Sequence, residues 1–435
     1  MNHSLTLWVV FPAILGVGLY LTWRLRAPQF SQLRNGFRYL VGGSAKAAGE
    51  VSRFAAVSAV LAGNFGTGNI AGIAIAMTTG GPGSLVWMWI MAFLGSVIQY
   101  ASCVLGVAFR KKDGQGSYAG GPMYYLRDGL GYKTLAGLFS VFTLFGAVTV
   151  GNFAQINSIV LPLQNLGFNP FYCSLGIALG VASIALGGIK RLAHFSVWII
   201  PVKAILYLGT ALIILTLNYT KLADAFILMF KDAFNFSAFL GGSLGAGTLK
   251  VITTGFDRGL FATDAGTGIV PILQANAKSD HPAKDGMTTL IAPLMVMIVC
   301  TVTGLVLIVT GAAQTSLQST NMVMYAFSKG LGSSLGGGIV LVTLILFAYT
   351  TILAWMHCGE KALGFLVGSK GAYLFRLLSI LIIPVGALMQ VHCIWMLADI
   401  AISLMLLINL IGVFGLSRHV IRLTEELTAS RLDEG

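Results

Sequence analysis

Apolar residues in this chain come in long runs, separated by short polar stretches that are mostly basic. That pattern marks segments crossing a bilayer, not helices with one wet face. Eleven runs come close to the ~20 residues a transmembrane helix needs: 5–24, 54–77, 84–109, 134–161, 170–187, 193–217, 244–275, 288–310, 334–358, 372–390 and 394–415. The run 244–275 is the weakest, because Lys250, Asp257, Arg258 and Asp264 interrupt it. Residues 5–23 have neither a basic leader before them nor a small-residue cleavage site after them, so a retained helix is expected. The basic stretch 26–50 reads as an amphipathic linker along the inner membrane surface or as a plain loop. The predicted fold is all-α: a polytopic membrane bundle of about eleven helices.

With the first run set aside, ten remain as two sets of five. An odd number per set turns the second set over relative to the first, the arrangement of an inverted-topology repeat. Gly66-Thr67-Gly68 stands in the first run of one set and Gly266-Thr267-Gly268 in the first run of the other, each among further glycines. Glycine in mid-helix costs about 1 kcal/mol relative to alanine. In lipid, broken backbone survives only where it lines a cavity or is buried in protein. Paired breaks at matching places predict a binding site at the repeat interface. Half-helix N-termini there suit a carboxylate, and unwound carbonyls suit a cation. The expected division is 1–50, an N-terminal helix and linker; 51–217, repeat one; 218–416, repeat two; and 417–435, a cytoplasmic tail.

Charge orients this map. With 24–53 placed in the cytoplasm, 21 basic residues fall on that side and three (Lys221, Lys231, Lys329) on the other. The N-terminus is then outside and the tail inside. Charged residues make up only 10% of the chain against 56% hydrophobic, with mean hydropathy +0.84, too few to cover a water-facing surface. The net charge of +12 follows from these loops and does not call for nucleic acid. Five cysteines and six histidines show no metal-ligand spacing. No phosphate-binding or hydrolase motif is present, so no enzyme activity is expected.

At Gly66-Thr67-Gly68-Asn69-Ile70-Ala71-Gly72 the chain resembles the alanine/glycine:cation (sodium:alanine) symporter family. The likeness continues through Gly80-Gly81-Pro82-Gly83, Gly120-Gly121-Pro122-Met123-Tyr124-Tyr125, Arg258-Gly259-Leu260-Phe261 and Thr350-Thr351-Ile352-Leu353-Ala354-Trp355. It implies the leucine-transporter-type fold, two inverted five-helix repeats behind one extra helix. It also implies substrate contacts from Thr67, Gly68, Gln155, Phe261, Thr263 and Trp355, with Trp355 limiting the side chain to hydrogen or methyl. Coupling-ion roles fall to Asn69, Asp264, Thr350 and Thr351, with Na⁺ at the two threonines. The chain departs from the family pattern at Thr263-Asp264, where the family carries Asn-Glu, and at Val296-Met297, where it carries Asp-Thr; both bear on cation choice and stoichiometry.

The expected function is secondary active symport of alanine or glycine, in L or D form, into the cell, coupled to Na⁺ or H⁺ across a bacterial or archaeal plasma membrane. A proton-coupled carrier of another small amino acid, a channel built on glycine carbonyls and a non-transporting nutrient sensor are the alternatives. Oligomeric state is left open. Asp257 and Arg258 are expected to pair, with each other or with neighbours, Asp399 to be a structural hydrogen-bonding group, and Lys203 to snorkel or to lie near an inner helix end.

Overall fold

The structure, a computed structural model, describes residues 2–42, 47–113, 116–234 and 245–433; Lys46 and the start of the run 244–275 lie outside them. Eight of its helices are long and apolar enough to cross a membrane. They are α1 (Thr6–Arg24), α5 (Ser84–Ala108), α6 (Lys133–Asn165), α8 (Gly188–Leu217), α12 (Pro282–Val309), α14 (Leu335–Val367), α15 (Ser369–Leu388) and α16 (Val391–Gly415). Shorter helices fill the numbering: α2 (Leu33–Val41), α3 (Arg53–Asn64), α4 (Ala71–Gly80), α7 (Pro170–Ala185), α9 (Leu222–Ala233), α10 (Gly245–Thr263), α11 (Ile269–Gln274), α13 (Ser319–Leu331) and α17 (Ser417–Asp433). Two-residue strands β1 (Lys111–Lys112) and β2 (Tyr118–Ala119) pair antiparallel in one loop.

The exterior carries the apolar residues. Trp198 and Ile205 on α8 are 70% and 72% exposed, and Leu179 on α7 and Leu381 on α15 stand out similarly, as lipid-facing positions should when lipid is the solvent. Polar side chains gather inward instead: Asn64, Thr67, Asn69, Gln99, Gln155, Asp264, Thr350 and Thr351 are all buried. Helix ends are closed locally. Ser52 accepts the Ala55 N–H at 3.1 Å to start α3, and His281 Nδ1 accepts the Ala283 N–H at 3.2 Å to start α12. Because Pro282 fits the first turn, α12 begins well before the apolar run at 288.

The two runs bearing the Gly-Thr-Gly triplets are the ones that break. The first splits into α3 and α4 around a single tight turn, Thr67–Asn69. The second splits into α10 and α11 across 264–268, where Asp264, Gly266 and Gly268 all take left-handed backbone angles, with φ of 50°, 89° and 90°. An L-residue such as Asp264 holds that conformation only when its surroundings impose it. The breaks lie against each other: Asn64 Nδ2 donates to the Thr263 carbonyl at 2.7 Å.

Candidate functional site

The breaks enclose a small void of about 10 Å³, room for about one water-sized sphere. Its walls are Gly63, Asn64, Gly66 and Gly68 from the first break, Phe261 and Asp264 from the second, Val150 and Gln155 from α6, and Thr351 and Trp355 from α14. Gly66 is required by space: a Cβ there would lie 2.8 Å from Thr351 Oγ1 and 3.1 Å from Gln155 Oε1.

Hydrogen bonds tie the break to its walls. Gln155 Oε1 accepts the Thr67 N–H at 3.0 Å, while its amide donates to the Val150 carbonyl at 3.0 Å. Thr351 donates to the carbonyls of Ala62 and Gly63, both at 3.0 Å. These carbonyls end α3 and have no helical partner of their own. Of the residues that wall the void, Asn64, Asp264 and Trp355 have Oδ1, Oδ1 and Nε1 buried without a hydrogen-bond partner. The Trp355 indole approaches the Asp264 carboxyl but does not complete a bond to it. Each such orphan costs roughly 1–3 kcal/mol, so three on the walls of one void mark a place built to receive a polar ligand.

Of the residues expected at the substrate, Gly68, Gln155, Phe261 and Trp355 meet here. Thr67 adjoins through its backbone. The Thr263 hydroxyl turns back onto its own helix, donating to Gly259 O at 2.7 Å. Of the expected ion residues, Asp264 and Thr351 reach the void. Asn69 faces α12 instead, accepting from Cys300 Sγ at 3.2 Å on its side chain and from Thr303 Oγ1 at 3.1 Å on its carbonyl. Thr350 accepts from Lys203 Nζ at 2.6 Å. Lys203 is 0% exposed, so the snorkelling expected of it does not occur: its stem runs inward from α8, not toward a helix end. The reading of the residues missed Asn64, an amide closing an apolar run, which was the one available signal for it.

One turn from Phe261 toward the start of α10, Arg258 pairs with Asp399 of α16, and the guanidinium lies 4.9 Å from the Trp395 ring. Trp395 in turn stacks on Phe261 at 4.5 Å. Asp257 does not complete the pair; it accepts from Thr6 of α1 at 2.6 Å. At the other end of the bundle a cavity of about 530 Å³ opens, lined by Asp113, Arg127, His357, Glu360, Lys361 and Arg376 among others. There Arg376 grips Glu360 with two bonds of 2.7 Å.

The profile of the sodium:alanine symporter family matches residues 1–434. The chain belongs to this family. Members are transporters, and this protein is accordingly a cation-coupled amino-acid symporter and not an enzyme. It is 41% identical over 415 residues to an uncharacterized transporter of Haemophilus influenzae, covering 94% of this chain and 91% of the relative. It is 36% identical over 433 residues to the sodium/alanine symporter AgcS of Methanococcus maripaludis, covering 97% and 94%. Among solved structures, a manganese transporter of Eremococcus coleocola superposes with a TM-score of 0.52 at 14% identity, covering 83% of this chain and 78% of that one, a likeness of fold alone. Together these carry the all-α transporter bundle expected from the apolar runs.

Proposed function

We propose that this symporter carries alanine or glycine inward, in either hand, and that the void between the two helix breaks is where it holds them. The observation that carries this reading is the set of three unpartnered polar atoms, on Asn64, Asp264 and Trp355, around a space also walled by Phe261. An amino acid supplies an ammonium and a carboxylate to such atoms. The carboxylate takes backbone N–H groups of the break at Thr67 and Gly68, displacing Gln155 Oε1, which then turns to the ligand. The ammonium meets Asp264, the Asn64 side chain and the carbonyls that end α3. Phe261 and Trp355 leave room for hydrogen or methyl, and even alanine requires these walls to give way.

In this reading the chain is built as 51–217 and 218–416, two inverted repeats, behind the N-terminal helix and linker of 1–50 and ahead of the tail 417–435. The N-terminus faces outward, the tail lies in the cytoplasm, and the membrane is a prokaryotic plasma membrane. The Arg258–Asp399 pair then stands over the outer side of the void, with the Trp395–Phe261 stack beneath it. The 530 Å³ cavity faces the cytoplasm, and alternating access exchanges which side is sealed. The coupling cation, Na⁺ or H⁺, enters beside the substrate at Asp264.

Uptake of labelled alanine into proteoliposomes under an imposed Na⁺ gradient, an imposed proton gradient or neither tests the reading. Accumulation under one gradient, competed by glycine, is the expected result. No accumulation of either amino acid under any gradient would overturn it.

A further inference from the structure

The junction of α3, α8 and α14 holds a buried amine that the transport reading leaves unused. Lys203 of α8 donates through Nζ to the Phe65 carbonyl at 3.1 Å and to Thr350 Oγ1 at 2.6 Å. The same nitrogen lies 4.8 Å from the Phe347 ring centre and 5.7 Å from that of Phe65. No carboxylate pairs with it among the described residues. An ammonium removed from water needs its charge met; here a carbonyl, a hydroxyl and two ring faces meet it.

Those oxygens are the kind that bind a hard cation: main-chain carbonyls at a helix end and a threonine hydroxyl. Thr350 cannot accept from Lys203 and also coordinate a metal ion in the same direction. Its own proton is already committed, to Phe347 O at 3.0 Å. A Na⁺ placed between Thr350, Thr351 and the end of α3 would sit beside an ammonium in a site of low polarity, where like charges repel strongly.

We propose that the Lys203 ammonium is a built-in cation in the seat where a coupling Na⁺ was expected against Thr350 and Thr351, so that this seat takes no Na⁺ in the native protein. The proposal rests on the symporter reading for its meaning but not for its test. Lys203 acts as a positioning residue: it ties the unwound end of α3 to α14, the connection an ion would otherwise make and break in each cycle. Its removal leaves a space lined by the Phe65 carbonyl and the Thr350 hydroxyl, a seat Na⁺ can enter.

The test is thermal unfolding of the full-length protein in detergent, with Na⁺ against choline at equal ionic strength, because an ion that binds only the folded state raises Tm. Any Na⁺-specific rise in the native protein should survive Thr350→Ala. Lys203→Ala should gain an added Na⁺-specific rise of a few degrees, lost again in the Lys203→Ala/Thr350→Ala double variant. Loss of the native Na⁺ rise in Thr350→Ala, or an unchanged Na⁺ response in Lys203→Ala, would overturn the proposal. If Lys203→Ala does not fold, the comparison of native protein with Thr350→Ala still decides. Alanine exchange measured on the same preparations judges the substrate reading separately, since the unfolding comparison needs no substrate.

Discussion

Gln155 Oε1 accepts the backbone N–H of Thr67 at 3.0 Å, so one amide on α6 holds the break between α3 and α4 in shape. A neutral hydrogen bond of this kind contributes about 1 kcal/mol, and the penalty for leaving its buried partner unmade is larger.

Gln155→Ala should therefore raise KM for alanine by about tenfold or more, the conversion of roughly 1.4 kcal/mol or above, while Gln155→Glu loses the amide's bond to Val150 and falls between. Concentration dependence of exchange in proteoliposomes reads this. An unchanged KM in Gln155→Ala would remove Gln155 from the site.

Trp355 and Phe261 both wall the void. Trp355→Phe should widen it and move preference toward side chains one or two carbons longer. Discrimination by a single methylene runs about 10–200-fold, so the ratio of alanine to 2-aminobutyrate uptake should shift by at least tenfold. A ratio that stays put places the size filter elsewhere.

Arg258 and Asp399 pair across 141 residues of chain, with little of either side chain exposed. Removing one partner strands the other, at about 3–5 kcal/mol. Arg258→Ala and Asp399→Ala should each lower Tm, and the double variant should lower it by less than the two single losses combined. Additive losses would mean the pair does not couple energetically.

His281 starts α12 by accepting an N–H on Nδ1, which only the neutral ring can do. Burial first, and then the nearby Lys284, push its protonation below the usual range. A base whose folded pKa is lowered contributes stability above its unfolded value of about 6.5 and loses it as pH falls through that value toward the folded one. The ring is partly solvated, so the effect is capped at about 1 kcal/mol, the size of a helix cap. Thermal unfolding against pH should show this acid loss in the native protein and a flatter profile in His281→Asn, which keeps an acceptor that does not titrate. An equal acid loss in both would assign it to other groups.

The apolar runs located the helices because lipid-facing surface must be continuous along a span, and the breaks were legible because Gly-Thr-Gly recurs at matching places in two runs. Contacts fixed by tertiary packing were not legible. Asp257 and Arg258 are adjacent in sequence, yet successive helix positions face different ways, so one meets Thr6 and the other Asp399. Thr263 stands next to a ligand-facing acid, but its hydroxyl is claimed by the helix behind it. Lys203 looked like a residue that would reach for water. Only the folded bundle shows that a carbonyl and a threonine lie within its reach, because the carbonyl is freed by a break in a different helix.

Helix α14 spans 33 residues with no proline and no interruption. It carries Thr350 at the lysine junction, Thr351 and Trp355 at the void, and His357, Glu360 and Lys361 at the wide cavity. A tilt of one unbroken helix at any of these stations is carried to the others. The helix serves as the bundle's ruler, against which the jointed helices α3–α4 and α10–α11 flex. A change made at Glu360 should thus be felt at Thr350 as a shift in angle, with no chain of altered contacts between them.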